Sequence, residues 1–445
     1  MAQTSLVAAV LRGTTAGLNL LLTWTLTHLL SLEQFGRYSF TMALVGFLTV
    51  LVQYGTTLIT LREIAGLSDD DDGTVKIASV LYSSVGIILL LGSISIFGVM
   101  ALKPYFYSSG LSWAERDFLE IGLPIIVIVA LLNIPISSLQ GRRKIVLSLF
   151  GELIRPVAVI AVLVSIIWTG THTPTASTAL FAQICGTMII TVTMWALLAR
   201  TLPAAVFSAR PSWRVGAWVR QGATIMCGSA LQFIVVRADL VLLGMIAGAT
   251  TIGLYAPAAA IVLAVSLGQA GVNITYGPSI AAHRDRGSRD DLKKLTRKAS
   301  FMASLFAVPP VLALVLFPEP ILSLFGDAYT QSAAALVILS ISQFIAAAFG
   351  ISVVTLNMLK LERLVLVALI AAATSQLAFG AILIPALSMT GAALSNLAAM
   401  FTFIFLSTLF VRRNIGYWIV PDVVWGLGQL ARLVQRNKAT ISDSR

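Results

Sequence analysis

A chain of 445 residues that is 58% hydrophobic and only 11% charged carries more apolar surface than a soluble core of that size can hide. Its formal net charge of +11 comes from basic residues dispersed over loops with no RNA- or DNA-binding module around them, which excludes nucleic acid and points to anionic lipid headgroups. The two cysteines and three scattered histidines offer neither a disulfide framework nor a metal cluster, so no resident cofactor is expected.

Apolar runs of about 20 residues cross a hydrocarbon core about 30 Å thick. Twelve are predicted, at 6–30, 38–60, 77–101, 118–140, 145–168, 177–199, 221–247, 251–280, 298–317, 331–357, 362–385 and 388–411. The N-terminus and the even-numbered loops hold 25 of the 30 Lys and Arg; Arg37, Lys103 and Arg116 fall on the other side, and Arg155 and Arg237 lie inside helices. The positive-inside rule then places both termini in the cytoplasm. The first run is too long for a signal-peptide core and is expected to be retained.

In chain order, Arg12 lies near the inner end of helix 1, and Arg62 with Glu63 closes helix 2. Arg62 fits either a positive-inside anchor or a contact to an anionic headgroup. The acidic run Asp69–Asp72 reads as a solvated loop, and the outer loop 102–117 carries interfacial aromatics. Helix 4 holds Asn133, Pro135 and Gln140, breakers and amides of the kind a water-filled cleft uses, as do Gly271, Asn273, Gly277, Pro278 and Asn357 further on.

Charge at membrane depth costs at least a few kcal/mol unless it faces protein or water, so four residues within helices stand out. Arg155 lies about 16 Å into the bilayer at about 1.5 Å per residue, and Glu152 shares its helical face. The two are either a neutral buried pair or a carboxylate beside a lumen-facing anion contact. Pro156 removes a backbone donor and is expected to bend helix 5 there. Arg237 and Asp239 stand two apart on helix 7, so they cannot simply satisfy each other. Asp239 fits a hydrogen bond to a neighbouring helix or a gating and ion-coupling role, and Glu152 is the second coupling candidate.

The chain repeats weakly with an offset of 217 residues. Gly36 and Tyr38 align with Gly253 and Tyr255, Leu139 and Gln140 with Leu356 and Asn357, and the basic turn after helix 4 with that after helix 10. Six helices per repeat restore the chain to the same side, giving parallel lobes at 1–200 and 221–411. The linker 201–220 is expected to lie along the inner surface, and the tail 412–445 to carry an amphipathic helix at 423–436. No GxxxxGK[ST] loop, HExxH or paired-cysteine pattern occurs, and no soluble domain is present to house enzymatic machinery, so no catalytic residue is assigned.

Leu30–Phe40 (LSLEQFGRYSF) and Gly55 through Leu61-Arg62-Glu63-Ile64-Ala65 resemble the start and close of helix 2 in the oligosaccharide-lipid flippases of the Wzx type. Arg237-Ala238-Asp239 through Leu243-Gly244, then Gly253-Leu254-Tyr255, is similar to that family's pattern over helices 7 and 8. That family shares the MOP superfamily with MATE drug exporters and lipid II flippases. The resemblance implies an all-α fold of two lobes, alternating access, the bacterial inner membrane, and a polyprenyl-diphosphate-linked oligosaccharide for lipopolysaccharide or other polysaccharide assembly, alongside glycosyltransferase and polymerase machinery.

On this reading Arg62, Arg155 and Arg237 attract the diphosphate, while Asn133, Gln140, Asn273 and Asn357 grip sugars. The rival is a MATE-like, cation-coupled exporter of organic cations, whose cavity should be dominated by carboxylates and aromatics.

Overall fold

The computed structural model describes residues 2–67, 71–101, 116–170, 174–203, 205–208, 215–286 and 289–422; these are mostly helical, with no strand among them. Helix α1 (Ala2–Leu29) is followed by α2 (Leu32–Gln53), whose start is capped by the Ser31 hydroxyl accepting from Gln34 N. The apolar pattern predicts one run to residue 60, but Tyr54 and Gly55 take left-handed φ values of 46° and 72°, and α3 (Thr56–Ile64) starts afresh. Then come α4 (Asp71–Ala101), a π-helical turn Arg116–Gly122 leading into α5 (Leu123–Gly141), α6 (Ile145–Trp168) and α7 (Ala176–Thr201).

The second half begins with α8 (Val215–Ala247) and α9 (Ala249–Val262), which passes through a 3-10 turn at Leu263–Val265 into α10 (Ser266–Arg286). Next are α11 (Arg289–Leu316), α12 (Ala333–Phe349), α13 (Ile351–Met358) and α14 (Glu362–Ile415). At Gly350, between α12 and α13, side chains supplement the backbone bonds: Ala346 O accepts from Gly350 N at 2.9 Å and also from Gln269 at 3.0 Å, and Ser300 donates to Ala348 O.

Unbroken, the 54 residues of α14 would be about 80 Å long. Non-helical dihedrals at Ser388 fold them into two antiparallel arms, as side-chain contacts between residues far apart along the helix require. Gln376 Nε2 reaches Ser395 Oγ at 3.5 Å and Thr402 Oγ1 reaches Ser375 Oγ at 3.5 Å. The reversal falls at Ser388, the first residue of the last predicted run.

Ten segments among the described residues are long and apolar enough to cross a membrane, and the protein is a multi-pass membrane protein. Asp69 and Asp70, residues 102–115, residues 209–214 of the linker and the tail from 423 lie outside the described residues. Asp71 and Asp72 begin α4, and α8 begins at Val215, inside the expected linker.

The offset of 217 has a geometric counterpart. Arg143 and Lys360 both have φ 61° and end their helices in the same Schellman turn. Lys144 N donates to Leu139 O and Leu361 N to Leu356 O, each at 2.9 Å; Arg143 N donates to Gln140 O at 2.9 Å and Lys360 N to Asn357 O at 3.1 Å. A second matched pair, Gly36 and Gly253, lies where the halves meet. A Cβ on Gly36 would collide with the Ala249 carbonyl, and one on Gly253 with the Leu32 carbonyl, so α2 and α9 cross in backbone contact. This end of the bundle, where α1 finishes and α2 starts, is called the far end below; the opposite one, where α3 ends at Arg62 and Glu63 and α11 begins at Arg289, is the basic end.

Candidate functional site

Four helical stretches, α1 and α2 from the first half and α8 and α9–α10 from the second, enclose a cavity of about 830 Å³, with α6 and α7 completing its wall. Its far end is bounded by Leu26 and Phe35. There Phe35 meets Tyr329 edge-on at 6.5 Å, Trp24 Nε1 donates to Leu324 O at 2.8 Å, and Gly36 abuts Gly253. Three contacts thus seal one end. Along its length α2 also packs on α8 through Phe47 and Phe233, whose rings lie 5.8 Å apart.

Arg12, Arg155 and Arg237 line this cavity together with one carboxylate, Glu152, for a formal wall charge of +2. None of the three guanidiniums makes an ion pair within 4.0 Å or a side-chain hydrogen bond among the described residues; the salt bridges join Arg37 to Glu33 and Asp117 at the far end. Arg155 and Glu152 interact electrostatically across one helical turn without closing into a contact pair, and Tyr38 contributes to the same field. Tyr38 is held in place by donating to Gln183 Oε1 at 3.3 Å, while Gln183 Nε2 reaches Thr187 Oγ1 at 3.4 Å.

Asp239 follows from the position of Arg237. Two residues on a helix point about 200° apart, so with Arg237 on the cavity wall Asp239 must face the interior of the second half. It is 2% exposed, accepts from Tyr255 OH at 2.6 Å and from Leu240 N at 2.9 Å, and is not part of the wall.

Five residues expected at the substrate do not line this cavity: Arg62, Asn133, Gln140, Asn273 and Asn357. Arg62 is exposed in the last turn of α3, which the break at Tyr54–Gly55 separates from the cavity-lining part of α2. Gln140 and Asn357 repeat because both occupy the Schellman turn that ends their helices. Asn133 lies on α5, a helix outside the wall, and Asn273 is half-buried on α10 beyond the last lining residue, Leu267. Arg12, expected near the inner end of helix 1, lies on the wall; Tyr38, Gln183 and the other polar residues of α1 are wall residues that the sequence did not mark as site residues. For α1 a signal existed: Arg12, Thr15, Asn19 and Thr23 recur every three or four residues on one helical face.

A bundle of this kind, with helix pairs from two halves facing each other across a central cavity, has the fold of solved transporters of the MOP superfamily. It is similar to an inward-facing multidrug resistance MATE family transporter (TM-score 0.76, 14% identity, covering 91% of this chain and 94% of that one). It also resembles the lipid II flippase MurJ in an inward closed conformation (TM-score 0.71, 13% identity, 92% and 87% covered). A third likeness is a MOP transporter from Pyrococcus furiosus whose binding pocket is described as having reverse polarity (TM-score 0.66, 15% identity, 92% and 95% covered). Within that fold the chain belongs to the polysaccharide biosynthesis protein family, whose model matches residues 1–281. No curated protein matches it.

Proposed function

We propose that the protein is a flippase carrying a polyprenyl-diphosphate-linked oligosaccharide from the cytoplasmic to the outer leaflet of the bacterial inner membrane, for lipopolysaccharide or related polysaccharide assembly. The observation that carries this reading is the sign of the cavity: three guanidiniums without ion-pair partners against one carboxylate. Arginines at bilayer depth are costly unless they meet water or an anion. A diphosphate suits them because the planar guanidinium fork makes bidentate, charge-assisted bonds to phosphate oxygens. Family membership supports a role in polysaccharide assembly, and the fold of a lipid flippase and of drug exporters supports movement by alternating access.

In this reading the halves are lobes at 1–200 and 221–411. Adding α1 and the second arm of α14 to the ten apolar segments makes twelve spans, with both termini on the cytoplasmic, basic side. The sealed far end then faces outward, and Glu152 is the cavity carboxylate that takes up a coupling cation when the empty protein resets. A cation-coupled exporter of organic cations, the rival reading, asks for a cavity of the opposite sign.

The test is single replacement of Arg155 and Arg237 by Ala, followed by flipping of a labelled polyprenyl-diphosphate glycan in proteoliposomes. A charge-assisted hydrogen bond is worth about 1.5–3 kcal/mol, so each variant should lose roughly tenfold or more. Full activity in both removes the site.

A further inference from the structure

The two sides of the cavity differ in chemistry. The wall from the second half is nearly apolar: Leu240, Ala256, Ala260, Leu263, Ala264 and Leu267 face inward, and Ser266 turns its hydroxyl to Leu263 O at 2.6 Å. Arg237 is its one charged side chain. Across the cavity, α1 presents Arg12, Thr15, Asn19 and Thr23 on one face, a ladder about 16 Å long at about 1.5 Å per residue. Helix α1 packs along α6, so the ladder runs beside Glu152 and Arg155.

The hydrogen-bonding state of that ladder is specific. Thr15 Oγ1 donates to Leu11 O at 2.9 Å, Thr23 Oγ1 to Asn19 O at 3.0 Å, and Asn19 Nδ2 to Thr15 O at 2.8 Å. A hydroxyl has one donor and two acceptor sites, so both threonines are left as acceptors only. Asn19 keeps its carbonyl oxygen and one N–H. Adjacent Glu152, when ionised, is likewise an acceptor only. Apart from Arg12 at one end of the ladder and one N–H of Asn19, the α1 side therefore presents acceptors, which recognise groups that donate; neither a diphosphate oxygen nor a polyprenyl chain can do so. Sugar hydroxyls and acetamido N–H groups can, and the C–H face of a sugar ring suits the apolar wall opposite.

We infer that Thr15, Asn19 and Thr23 form a glycan rail, a subsite that holds the first sugars of the cargo by their hydroxyls while the arginines hold the diphosphate. This rests on the flippase reading and divides the cavity between headgroup and glycan. The same chemistry off the ladder supplies a control: Thr14 and Thr25 also donate to their own helix, to Val10 O and Leu21 O, and do not line the cavity.

The experiment compares binding of two probes to purified full-length protein: undecaprenyl diphosphate, and the lipid-linked glycans extracted from the cells that carry the gene. The wild type should prefer the glycan-bearing lipid. In the triple variant Thr15→Ala, Asn19→Ala, Thr23→Ala that preference should fall at least about tenfold while affinity for undecaprenyl diphosphate stays unchanged, since three neutral hydrogen bonds are lost. The control Thr14→Ala, Thr25→Ala should keep both. Retained binding of the bare diphosphate shows that the triple variant is folded. A preference unchanged in the triple variant, or lost equally in the control, overturns the rail and leaves the diphosphate site standing. Wild-type protein that binds neither probe overturns both.

Discussion

Closure at the far end rests on a seam that tolerates no side chain. A methyl built on Gly36 would stand 2.7 Å from the carbonyl carbon of Ala249 and 2.9 Å from the nitrogen of Gly253, where ordinary contact is 3.4–4 Å. The obstacle is backbone on both sides, and the Ala249 carbonyl oxygen stands nearer still, so α2 and α9 must part by more than ~1 Å, a gap that forfeits at least about half of the dispersion between facing atoms. Overpacking of this sort costs about 1–3 kcal/mol. If the seam is made in the inward-facing state and broken in the outward-facing one, Gly36→Leu shifts the balance outward by about 5–150-fold. The assay uses a protein with Cys185 and Cys227 replaced by Ala and a single reporter, Ser39→Cys, on the cavity wall. Its labelling by a membrane-impermeant maleimide added on the far side reads the outward-open population. In the Gly36→Leu background the labelling rate should rise by that factor. An unaltered rate in a stably folded variant would refute the role of this crossing as a gate.

Other outcomes follow from the same geometry. Arg12→Ala should weaken binding of undecaprenyl diphosphate by roughly tenfold, like the other two arginine variants, because all three share one wall; wild-type affinity would separate Arg12 from the site. Gln140→Leu and Asn357→Leu should leave flipping within twofold of wild type, since only the backbone carbonyls of these residues serve the turns; a large loss in the flipping assay would contradict that assignment. Tyr255→Phe removes a hydrogen bond to a buried carboxylate and should lower thermal stability by about 1–3 kcal/mol, read as a fall in melting temperature; an unshifted melting curve would mean that Asp239 finds another partner.

Which parts of this arrangement can be read from one sequence depends on the range of the interactions involved. Arg155 and Arg237 are conspicuous because a charge inside an apolar run has few physically tolerable surroundings, and a cavity wall is one of them. The angular separation of Arg237 and Asp239 is a local property of a helix, so it too is legible, and it explains why one faces the cavity and the other Tyr255. Helix rotation is a tertiary property that no local pattern records. Asn133 and Asn273 have the same composition signal as Asn19 yet lie off the wall. Repetition also misleads where a backbone turn produces it, as at Gln140 and Asn357. The pair Tyr38 and Gln183, 145 residues apart, has no local signature at all.

The charge of the cavity wall also bears on how the cycle is driven. A cargo headgroup of roughly two negative charges meets a wall of +2, so the loaded cavity carries far less net charge than the headgroup alone. An inside-negative potential then acts mainly on the empty return, when the cationic wall moves back toward the negative side. Each elementary charge crossing the full field is worth about 2.3 kcal/mol per 100 mV. Arg155→Gln removes one cavity charge, so its loaded step should carry one more negative charge than the wild type. If that charge crosses the whole field, the outward equilibrium of the loaded step should gain up to about fifty-fold per 100 mV relative to wild type, whatever fixed charges the two share. Proteoliposomes with a potassium diffusion potential set by valinomycin, assayed over a single turnover of labelled polyprenyl-diphosphate glycan, measure this difference directly. Identical voltage dependence in the two proteins would mean that Arg155 does not travel with the cargo, and the diphosphate would have to be held elsewhere.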